Sequence, residues 1–500
     1  MVDVVIEKCN EAYLNILAEQ STLQELQDVF TFFAEGYKFH PRYKAKMWDG
    51  KIRILKIVSR NKGIIYYGLL QQIIDFCKSR EYTYQLKDVI DNNSISNEEL
   101  LHYAKILNPS DKGNPIEPRD YQLKGFIDSI KNKRNICLSV TSSGKSFIIY
   151  MITRYLQDQG LTGLIITPNV SLVHQLYSDF RDYSQLNNWN VDDHIHKIYS
   201  GQDKNTKKSI CKSTWQSLQN IKDKSWFENF DYVIVDEAHG AKATQLTAIL
   251  EKCINASYRL GFTGTVDNIK SNINTLIGLF GPINRLNTTK ELIDRGQVAN
   301  FNIKCLILKY DVEICKLVKK AKYQDEIKFL VANKKRNSFI KNLALSLDKN
   351  SIILCNFVET HGKVIFELIK NSKNLGNRNV YFIHGGVEGE ERERIRQIME
   401  TEKNAIVVAS SGTMSTGVSI KNLHNIIFAI SGKSRIRTLQ SIGRVLRLHE
   451  NKEIATLYDI VDDLSIGKHQ NFSLKHFLER VKMYNQEQFD YKLKKVDFSQ

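Results

Sequence analysis

Short apolar runs and stretches of helical spacing alternate along most of the chain. From about residue 119 the apolar runs have the length of buried strands, as in NICLSV, GLIITP and DYVIVDEAH, and a second series starts near residue 300. Strands that alternate with helices are typical of a parallel sheet with helices on both faces. The pattern therefore predicts an α/β fold with two consecutive domains of similar size.

The two ends of the chain have different patterns. Near the start, Leu23, Leu26, Phe30 and Phe33 have helical spacing and strand-like runs follow them, which predicts a small α+β domain. Beyond residue 470 a basic amphipathic stretch predicts a short helical C-terminal extension. The predicted divisions are residues 1–95, 113–297, 298–470 and 471–500.

Composition indicates the kind of partner. The 500 residues include 71 lysines and arginines against 55 acidic residues, a net charge of +16. Such an excess favours a polyanion, although it also fits a merely basic protein. The eight cysteines are scattered without a C-x-x-C pair, which predicts free thiols in a reducing compartment rather than zinc sites. The acidic start, and the lack of a run of about 18 apolar residues, predict a soluble protein that is not secreted.

The segment SVTSSGKSF, residues 139–147, has the Gly-Lys-Ser of a phosphate-binding loop. It lies between a predicted strand and a predicted helix, where loop N–H groups and the helix N-terminus bind phosphate oxygens. Lys145 would neutralise the terminal phosphates, and the Ser146 hydroxyl would ligate Mg²⁺. Ser139 replaces the usual Gly or Ala, at a strand end where a small side chain suffices. The candidate nucleotide-binding residues here are Thr141, Ser142, Ser143, Gly144, Lys145 and Ser146.

Two further groups of residues complete a candidate ATP site. Asp236 and Glu237 follow a buried strand, at the end where α/β sheets bind ligands. Asp236 would hold Mg²⁺, and Glu237 would polarise the attacking water as a general base. Upstream of the loop, the Gln122 amide can recognise adenine through two hydrogen bonds, and Arg119 or Tyr121 could stack on the base. Together these residues predict an ATP hydrolase that uses Mg²⁺.

The second α/β half contributes candidate cationic groups. In TLQSIGRVLRLHE, Arg444 and Arg447 lie three residues apart, on one face of a predicted helix. Guanidinium groups stabilise the charge that spreads over the γ-phosphate during phosphoryl transfer. Because both arginines lie far along the chain from Lys145, they would come from another domain, and hydrolysis would depend on domain closure. The alternative is a basic surface helix.

These residues stand in motifs whose order resembles that of the superfamily 2 helicases. RDYQ resembles the adenine motif, and TSSGKS, LIITPNVSLVHQ, STWQSL, VDEAH and FTGT resemble motifs I, Ia, Ib, II and III. SIILCNFVETHGKVI, IVVASSGTMSTGVSIKNL and QSIGRVLR resemble motifs IV, V and VI. The resemblance covers residues 117–450 and implies two tandem RecA-like domains. The catalytic residues that it implies are Lys145, Asp236, Glu237, Gln440, Arg444 and Arg447.

A narrower resemblance extends over nearly the whole chain. AEGYKFHPRYKAKMWDGKIRIL near the start and STGVSIKNLH in motif V resemble the UvsW-type recombination helicases of T-even bacteriophages. This implies an ATP-dependent DNA helicase that remodels forks, Holliday junctions and R-loops in recombination, repair and replication restart. It also implies a monomer or weak oligomer in the cytoplasm of an infected bacterial cell, with branched DNA or RNA–DNA hybrids as partners.

By the same resemblance, motifs Ia, Ib and V contact the phosphate backbone of nucleic acid. Hydroxyls, amides and backbone N–H groups contact phosphates without reading sequence, although each alone is more often a capping or turn residue. A basic, aromatic stretch at residues 31–60 adds a second surface, since lysines bind phosphates and aromatic rings stack on unpaired bases; its aromatic residues could equally form core. The candidate contacts are Pro168, Asn169, Thr214, Trp215, Gln216, Thr413, Thr416 and Gly417 in the motifs, and Lys44, Lys46, Trp48 and Lys51 near the start.

Three functions share these motifs. The first is a helicase for branched DNA, which the basic and aromatic N-terminal domain favours. The second is an RNA helicase, or a double-strand translocase that hydrolyses ATP without separating strands. The third is a nucleic-acid-binding clamp that ATP opens and closes. Strand separation on different substrates distinguishes the three.

Overall fold

The computed structural model describes residues 2–89, 95–199, 203–204, 206–242, 244–266, 269–415, 420–429, 432, 434–446, 449 and 452–498. The chain forms two compact units, one of residues 1–139 and 144–287 and one of residues 140–143 and 288–500. All eight cysteines are free thiols, seven of them buried. Within the described ranges, no helix is long and apolar enough to cross a bilayer.

The first unit begins with a small α+β domain. Its five-stranded mixed sheet has the order β5-β6-β2-β1-β7, and only β1 and β7 run parallel. The alternating residues Val4 and Ile6, and Leu14 and Ile16, are buried on one face of this sheet. The strands are β1 Val4–Lys8, β2 Tyr13–Ala18, β3 Thr31–Phe33, β4 Lys51–Arg53, β5 Lys56–Ser59, β6 Lys62–Tyr66 and β7 Tyr84–Lys87. The helices are α1 Gln20–Val29, α2 Pro41–Lys44, α3 Leu70–Ser79 and α4 Asn97–Ile106.

A seven-stranded parallel sheet makes up the rest of the first unit, in the order β12-β13-β11-β14-β15-β10-β16. Successive residues such as Val233 and Ile234 are both fully buried, because helices cover both faces. The strands, after a short hairpin of β8 Ser110–Asp111 and β9 Asn114–Pro115, are β10 Arg134–Leu138, β11 Gly163–Thr167, β12 Ile195–Ile198, β13 Ile210–Thr214, β14 Tyr232–Asp236, β15 Tyr258–Thr263 and β16 Ile283–Arg285. The helices are α5 Asp120–Asn132, α6 Lys145–Asp158, α7 Val170–Tyr183, α8 Val191–His194, α9 Trp215–Leu218, α10 Ser225–Glu228, α11 Thr244–Lys252 and α12 Lys270–Phe280.

The small domain packs against the α/β domain of the same unit. The Tyr66 hydroxyl donates to the Glu251 carboxylate at 2.6 Å, and the Glu11 N–H donates to the Ile254 carbonyl at 2.9 Å. At Gly68 a Cβ would lie only 2.0 Å from the carbonyl oxygen of Ile277. Because the backbones approach this closely, a side chain at Gly68 would force the two domains apart.

The second unit is built on another seven-stranded parallel sheet, in the order β19-β20-β18-β21-β22-β17-β23. The two parallel sheets and the small mixed one confirm the predicted α/β class with a small N-terminal domain. The strands are β17 Asn300–Lys309, β18 Ser351–Cys355, β19 Val380–Ile383, β20 Ile406–Ser410, β21 Asn425–Phe428, β22 Ile454–Asp463 and β23 Tyr491–Asp497. The helices are α13 Thr289–Asp294, α14 Val312–Val318, α15 Tyr323–Ala332, α16 Lys334–Ser346, α17 Lys363–Lys370, α18 Gly389–Thr401, α19 Ser411–Ser415, α20 Arg435–Val445 and α21 Phe472–Gln486.

The C-terminal extension is helical only in part. The predicted helix is present as α21, but residues 491–497 form strand β23, which pairs in parallel with β17 along the edge of the sheet. Gln488 breaks the helix with a left-handed φ of 56°. The sequence predicts that the basic residues after it continue the helix. They form an edge strand instead, because β17 has hydrogen-bonding groups left to pair on that side.

Candidate nucleotide and nucleic-acid sites

The candidate phosphate loop connects the end of β10 to the start of α6. Ser142 and Gly144 have left-handed φ angles of 71° and 82°, so the backbone turns sharply before the helix begins at Lys145. The Lys145 ammonium donates to the Ser139 carbonyl at 3.1 Å, and the Ser146 hydroxyl lies 3.0 Å from the Tyr183 hydroxyl. The loop thus places a cation and a helix N-terminus together, an arrangement that binds phosphate.

Gln122 packs directly against this loop. A Cβ on Gly144 would lie 2.5 Å from the Gln122 amide nitrogen and would displace that side chain, while the left-handed φ of 82° itself favours glycine. The Gln122 side-chain oxygen accepts from the Arg119 N–H at 2.9 Å. Arg119 itself donates to the hydroxyl of Tyr121, which is buried. The structure therefore favours Arg119 over Tyr121 for stacking on a base.

Ser139 has a specific partner. Its side chain is fully buried, and its hydroxyl accepts from the Asn287 amide at 2.9 Å. Its N–H donates to the carbonyl of Thr263 at 3.0 Å, which ties the end of β10 to the end of β15. The serine is therefore more than a small residue tolerated at a strand end, because it anchors the start of the loop.

Asp236 and Glu237 lie at the carboxyl end of β14. The Glu237 N–H donates to the Asp236 carboxylate at 2.9 Å, and Glu237 has a left-handed φ of 53°. Burial and the neighbouring Glu237 charge raise the pKa of Asp236 above its usual range, while Lys145 opposes that rise. Two crowded acids of this kind attract a cation. A carboxylate and a hydroxyl are ligands that Mg²⁺ accepts beside phosphate oxygens, so Asp236 and Ser146 fit the predicted metal.

His239 links Glu237 to the next strand. Its Nδ1 lies 3.2 Å from the Glu237 carboxylate and 3.0 Å from the Thr263 hydroxyl. The Thr263 hydroxyl donates to the Thr265 carbonyl at 2.8 Å, so it can accept from a protonated Nδ1. The single Nδ1 proton lies between the Thr263 hydroxyl and the Glu237 carboxylate, which keeps the imidazole beside both side chains.

Motifs Ia and Ib meet at one edge of the sheet because β11 and β13 are neighbours. The Gln216 amide donates to the Pro168 carbonyl at 3.3 Å. Asn169 and Thr214 cap helices α7 and α9 by accepting from backbone N–H groups, and Trp215 packs against the core. The structure therefore brings the residues of motifs Ia and Ib together, and three of them also have a structural role.

Motifs V and VI lie in the second unit. The Thr413 hydroxyl is 2.7 Å from that of Ser410, and its side chain is buried. Gln440 is buried on α20, and Arg444 belongs to the same helix. The remaining candidates, Thr416, Gly417 and Arg447, lie outside the described residues.

The basic stretch near the start forms the segment between β3 and β4. Lys44 and Lys46 are exposed, and the Lys51 ammonium lies 5.7 Å from the centre of the Phe33 ring. Trp48 is half-buried: its indole N–H donates to the Lys51 carbonyl at 3.0 Å, and its ring meets that of His40 edge-on. The lysines are thus placed to contact a ligand, whereas Trp48 holds the segment together.

Comparison with known proteins places the chain in a family. Family models described as "DNA helicase UvsW, N-terminal", "Type III restriction enzyme, res subunit" and "Helicase conserved C-terminal domain" match residues 3–87, 115–268 and 334–449. The ATP-dependent DNA helicase uvsW of Enterobacteria phage T4 is 34% identical over 515 residues, which cover 99% of this chain and 100% of the relative. The chain belongs to the UvsW family of ATP-dependent DNA helicases. Membership of this family confirms the prediction that the chain is a superfamily 2 helicase.

Solved structures agree with this assignment to the UvsW family. The crystal structure of T4 UvsW matches with a TM-score of 0.53 and 32% identity, over 99% of this chain and 100% of that one. Mss116p bound to single-stranded RNA and AMP-PNP matches with a TM-score of 0.53 and 14% identity, over 82% of this chain and 81% of that one. The second likeness concerns the fold alone.

Sequence reasoning missed several partners at the nucleotide site of this UvsW family member. Tyr183 contacts Ser146, Asn287 contacts Ser139, and the His239 ring joins Glu237 to Thr263. Only His239 belongs to a recognised motif, VDEAH, where its imidazole could have been assigned a role. Tyr183 and Asn287 come from distant positions without a motif, so only the fold reveals them.

Proposed function

We propose that this UvsW family member uses ATP hydrolysis to remodel branched DNA, such as forks, Holliday junctions and R-loops, in recombination, repair and replication restart. The proposal rests on one arrangement above all: Gln122, Gly144 and Lys145 form one loop site, and the Asp236–Glu237 pair lies at the carboxyl end of β14 in the same parallel sheet. The T4 DNA helicase is 34% identical over 99% of this chain, and this similarity supports DNA as the substrate.

The residues divide the work of hydrolysis between them. The N–H groups of Thr141, Ser142 and Ser143 would hold the phosphates, and Lys145 would neutralise the terminal one. Glu237 would accept a proton from the attacking water, with its carboxylate oriented by His239. Mg²⁺, held by Asp236 and Ser146, would supply positive charge at the phosphate oxygens.

Gln440, Arg444 and Arg447 would act from the second α/β domain, where guanidinium groups compensate the charge on the transferred phosphoryl group. Under this proposal the chain consists of domains at 1–95, 113–297 and 298–470 with an extension at 471–500. The contribution of the second domain makes hydrolysis depend on closure, which converts chemistry into movement along DNA.

DNA would run along the edge where motifs Ia and Ib meet, with Pro168, Asn169 and Gln216 near its phosphates. Thr413, Thr416 and Gly417 of motif V would continue this path in the second domain. Contacts of this kind position the backbone without reading bases, as an enzyme that acts on many branch sequences requires. We place the protein in the cytoplasm of an infected bacterial cell, as a monomer or weak oligomer.

Two substitutions test the site. Lys145→Ala removes the phosphate cation, and Glu237→Gln keeps the shape of the base but removes its proton affinity. We expect each to lower ATP turnover by at least about 100-fold, the order that general-base catalysis contributes, while the chain still binds forked DNA. The matched control is Glu228→Gln, an exposed glutamate on α10. Turnover retained by Glu237→Gln would contradict the assigned role.

A substrate panel distinguishes this function from its alternatives. ATP turnover and strand separation are measured on a fork, a four-way junction, an R-loop and duplex RNA. Separation of the branched DNA substrates supports the proposal. Stimulated turnover without separation would indicate a translocase, preference for duplex RNA would indicate an RNA helicase, and binding without repeated turnover would indicate a clamp.

A further inference from the structure

The segment between β3 and β4, residues 34–50, is an ordered projection that we call the hairpin tip. Its ends are joined by a hydrogen bond from the Ala34 N–H to the Gly50 carbonyl at 2.8 Å, and its far part by one from the Met47 N–H to the Arg42 carbonyl at 2.8 Å. Gly50 has a φ of 78°, and a Cβ there would lie 2.4 Å from the Tyr37 ring. The tip is therefore held in one conformation by its own contacts.

Most aromatic rings of this region are used to build the tip. Phe33 stacks on Tyr37 with ring centres 4.6 Å apart, and Tyr43 meets Tyr37 edge-on at 4.9 Å. Trp48 is engaged with His40, as described above. These rings support one another, which explains how so short a segment is ordered without a core of its own.

Two large apolar side chains of the tip are not used in this way. Phe39 is 79% exposed and Met47 is 74% exposed. Phe39 is the most exposed aromatic side chain in the described part of the chain. Single exposed apolar side chains are common, as Leu317 at 82% exposure shows, but two of them in one short segment mark a candidate contact surface.

Charge indicates which ligand this is. The tip contains four basic side chains, Lys38, Arg42, Lys44 and Lys46, against two acidic ones, Glu35 and Asp49, and Asp49 is paired with Arg53. All four basic residues are exposed. An exposed aromatic side chain in a segment rich in exposed cations matches the chemistry of a nucleobase joined to phosphates.

We propose that Phe39 and Met47 stack on the bases exposed where two DNA strands part, while the surrounding lysines and Arg42 hold the adjoining phosphates. This inference rests on the proposed function and adds to it the residues that recognise the branch. Trp48, the aromatic residue that the sequence favours for this contact, instead supports the tip. Because the small domain is anchored on the α/β domain that carries the phosphate loop, the tip gives that domain a fixed contact with the branch point.

The test uses the full-length protein and forked DNA with 2-aminopurine at the first base pair beside the branch. Stacking by a protein side chain changes the fluorescence of this base. We expect Phe39→Ala and Met47→Ala each to abolish most of that change and to weaken fork binding about tenfold, the order that one stacked base contributes. Phe39→Trp should retain both signals. The dependence of binding on salt should stay as in the wild type, because no charge is removed.

Ile106→Ala is the matched control, since Ile106 is also a large apolar side chain, 63% exposed, at the end of α4 outside the tip. Unchanged fork affinity and fluorescence in the tip variants would overturn the inference and would indicate a protein or lipid partner for the tip. An equal loss of affinity for a duplex without a branch would also overturn it. Strand separation by the wild type is measured in parallel: its failure counts against the proposed function, whereas the base-stacking signal tests the tip alone.

Discussion

The hydrogen bond between Ser139 and Asn287 makes a quantitative prediction about the phosphate loop. Ser139→Ala introduces the small residue that phosphate loops commonly have at this position, so sequence comparison alone would predict a neutral change. In the structure, however, the Ser139 hydroxyl is fully buried and accepts from the Asn287 amide at 2.9 Å, and Asn287 is only 3% exposed. The substitution removes a buried acceptor from a buried donor.

The magnitude follows from that burial. A hydrogen bond of this kind contributes about 1 kcal/mol net, and removal of one buried partner costs about 1–3 kcal/mol. Since alanine also avoids the cost of burying the hydroxyl, we expect Ser139→Ala to lower the free energy of unfolding of the first unit by about 1–2 kcal/mol. For a unit of this size this corresponds to a fall in melting temperature of roughly 4 °C.

Thermal unfolding of the full-length protein, followed by tryptophan fluorescence, measures the change. Ser271→Ala is the control: Ser271 is 3% exposed, and its hydroxyl has no hydrogen-bond partner within the described part of the chain. The same chemical change there should be neutral or slightly stabilising. Asn287→Ala and the Ser139→Ala/Asn287→Ala double variant complete a cycle whose coupling energy should be about 1 kcal/mol.

Two results would refute this reasoning. If Ser139→Ala has the same melting temperature as the wild type while Ser271→Ala behaves as expected, the hydrogen bond makes no net contribution to stability. If both single variants are destabilised and their effects add in the double variant, each residue acts through other contacts. In either case Ser139 would return to being a small residue tolerated at a strand end.

The pH and salt dependences of the protein give two further predictions. Burial lowers the pKa of His361 to about 3, and neither ring nitrogen has a hydrogen-bond partner among the described residues. Because the unfolded state binds a proton that the folded state excludes, the second unit should lose about 2 kcal/mol between pH 6.5 and pH 5, and urea unfolding of His361→Phe should lack most of this loss. Replacing Lys44, Lys46 and Lys51 by glutamine should reduce the slope of log affinity against log salt by up to about 3 in DNA binding, and an unchanged slope would place the phosphate contacts elsewhere.

The sequence predicts a nucleotide site because the chemistry of such a site depends on local order. The loop around Lys145 needs a strand before it and a helix after it, and the acids at Asp236 need a buried strand, so both can be recognised from short patterns. The parallel sheets follow from the same alternation of strands and helices. These parts of the fold are fixed by neighbours in the sequence.

Other features depend on contacts between residues that are far apart in the sequence, and short sequence patterns do not predict such contacts. Residues 491–497 have the spacing of a helix surface but form a strand, because β17 offers an unpaired edge. Trp48 is an aromatic residue in a basic segment, as a base-stacking residue would be. Its ring instead packs against His40, and its indole N–H donates to the Lys51 carbonyl. Phe39 differs from the other aromatic residues of its segment only in exposure, which is a property of the folded chain.

The contacts around the phosphate loop also connect the ends of several strands of the first parallel sheet. Ser139 at the end of β10 donates to the carbonyl of Thr263 at the end of β15, and the Thr263 hydroxyl lies against His239, which contacts Glu237 after β14. Asn287, the last residue of the first unit, joins the same network through Ser139. The carboxyl ends of β10, β14 and β15 are therefore linked to the last residue of the first unit by one series of contacts.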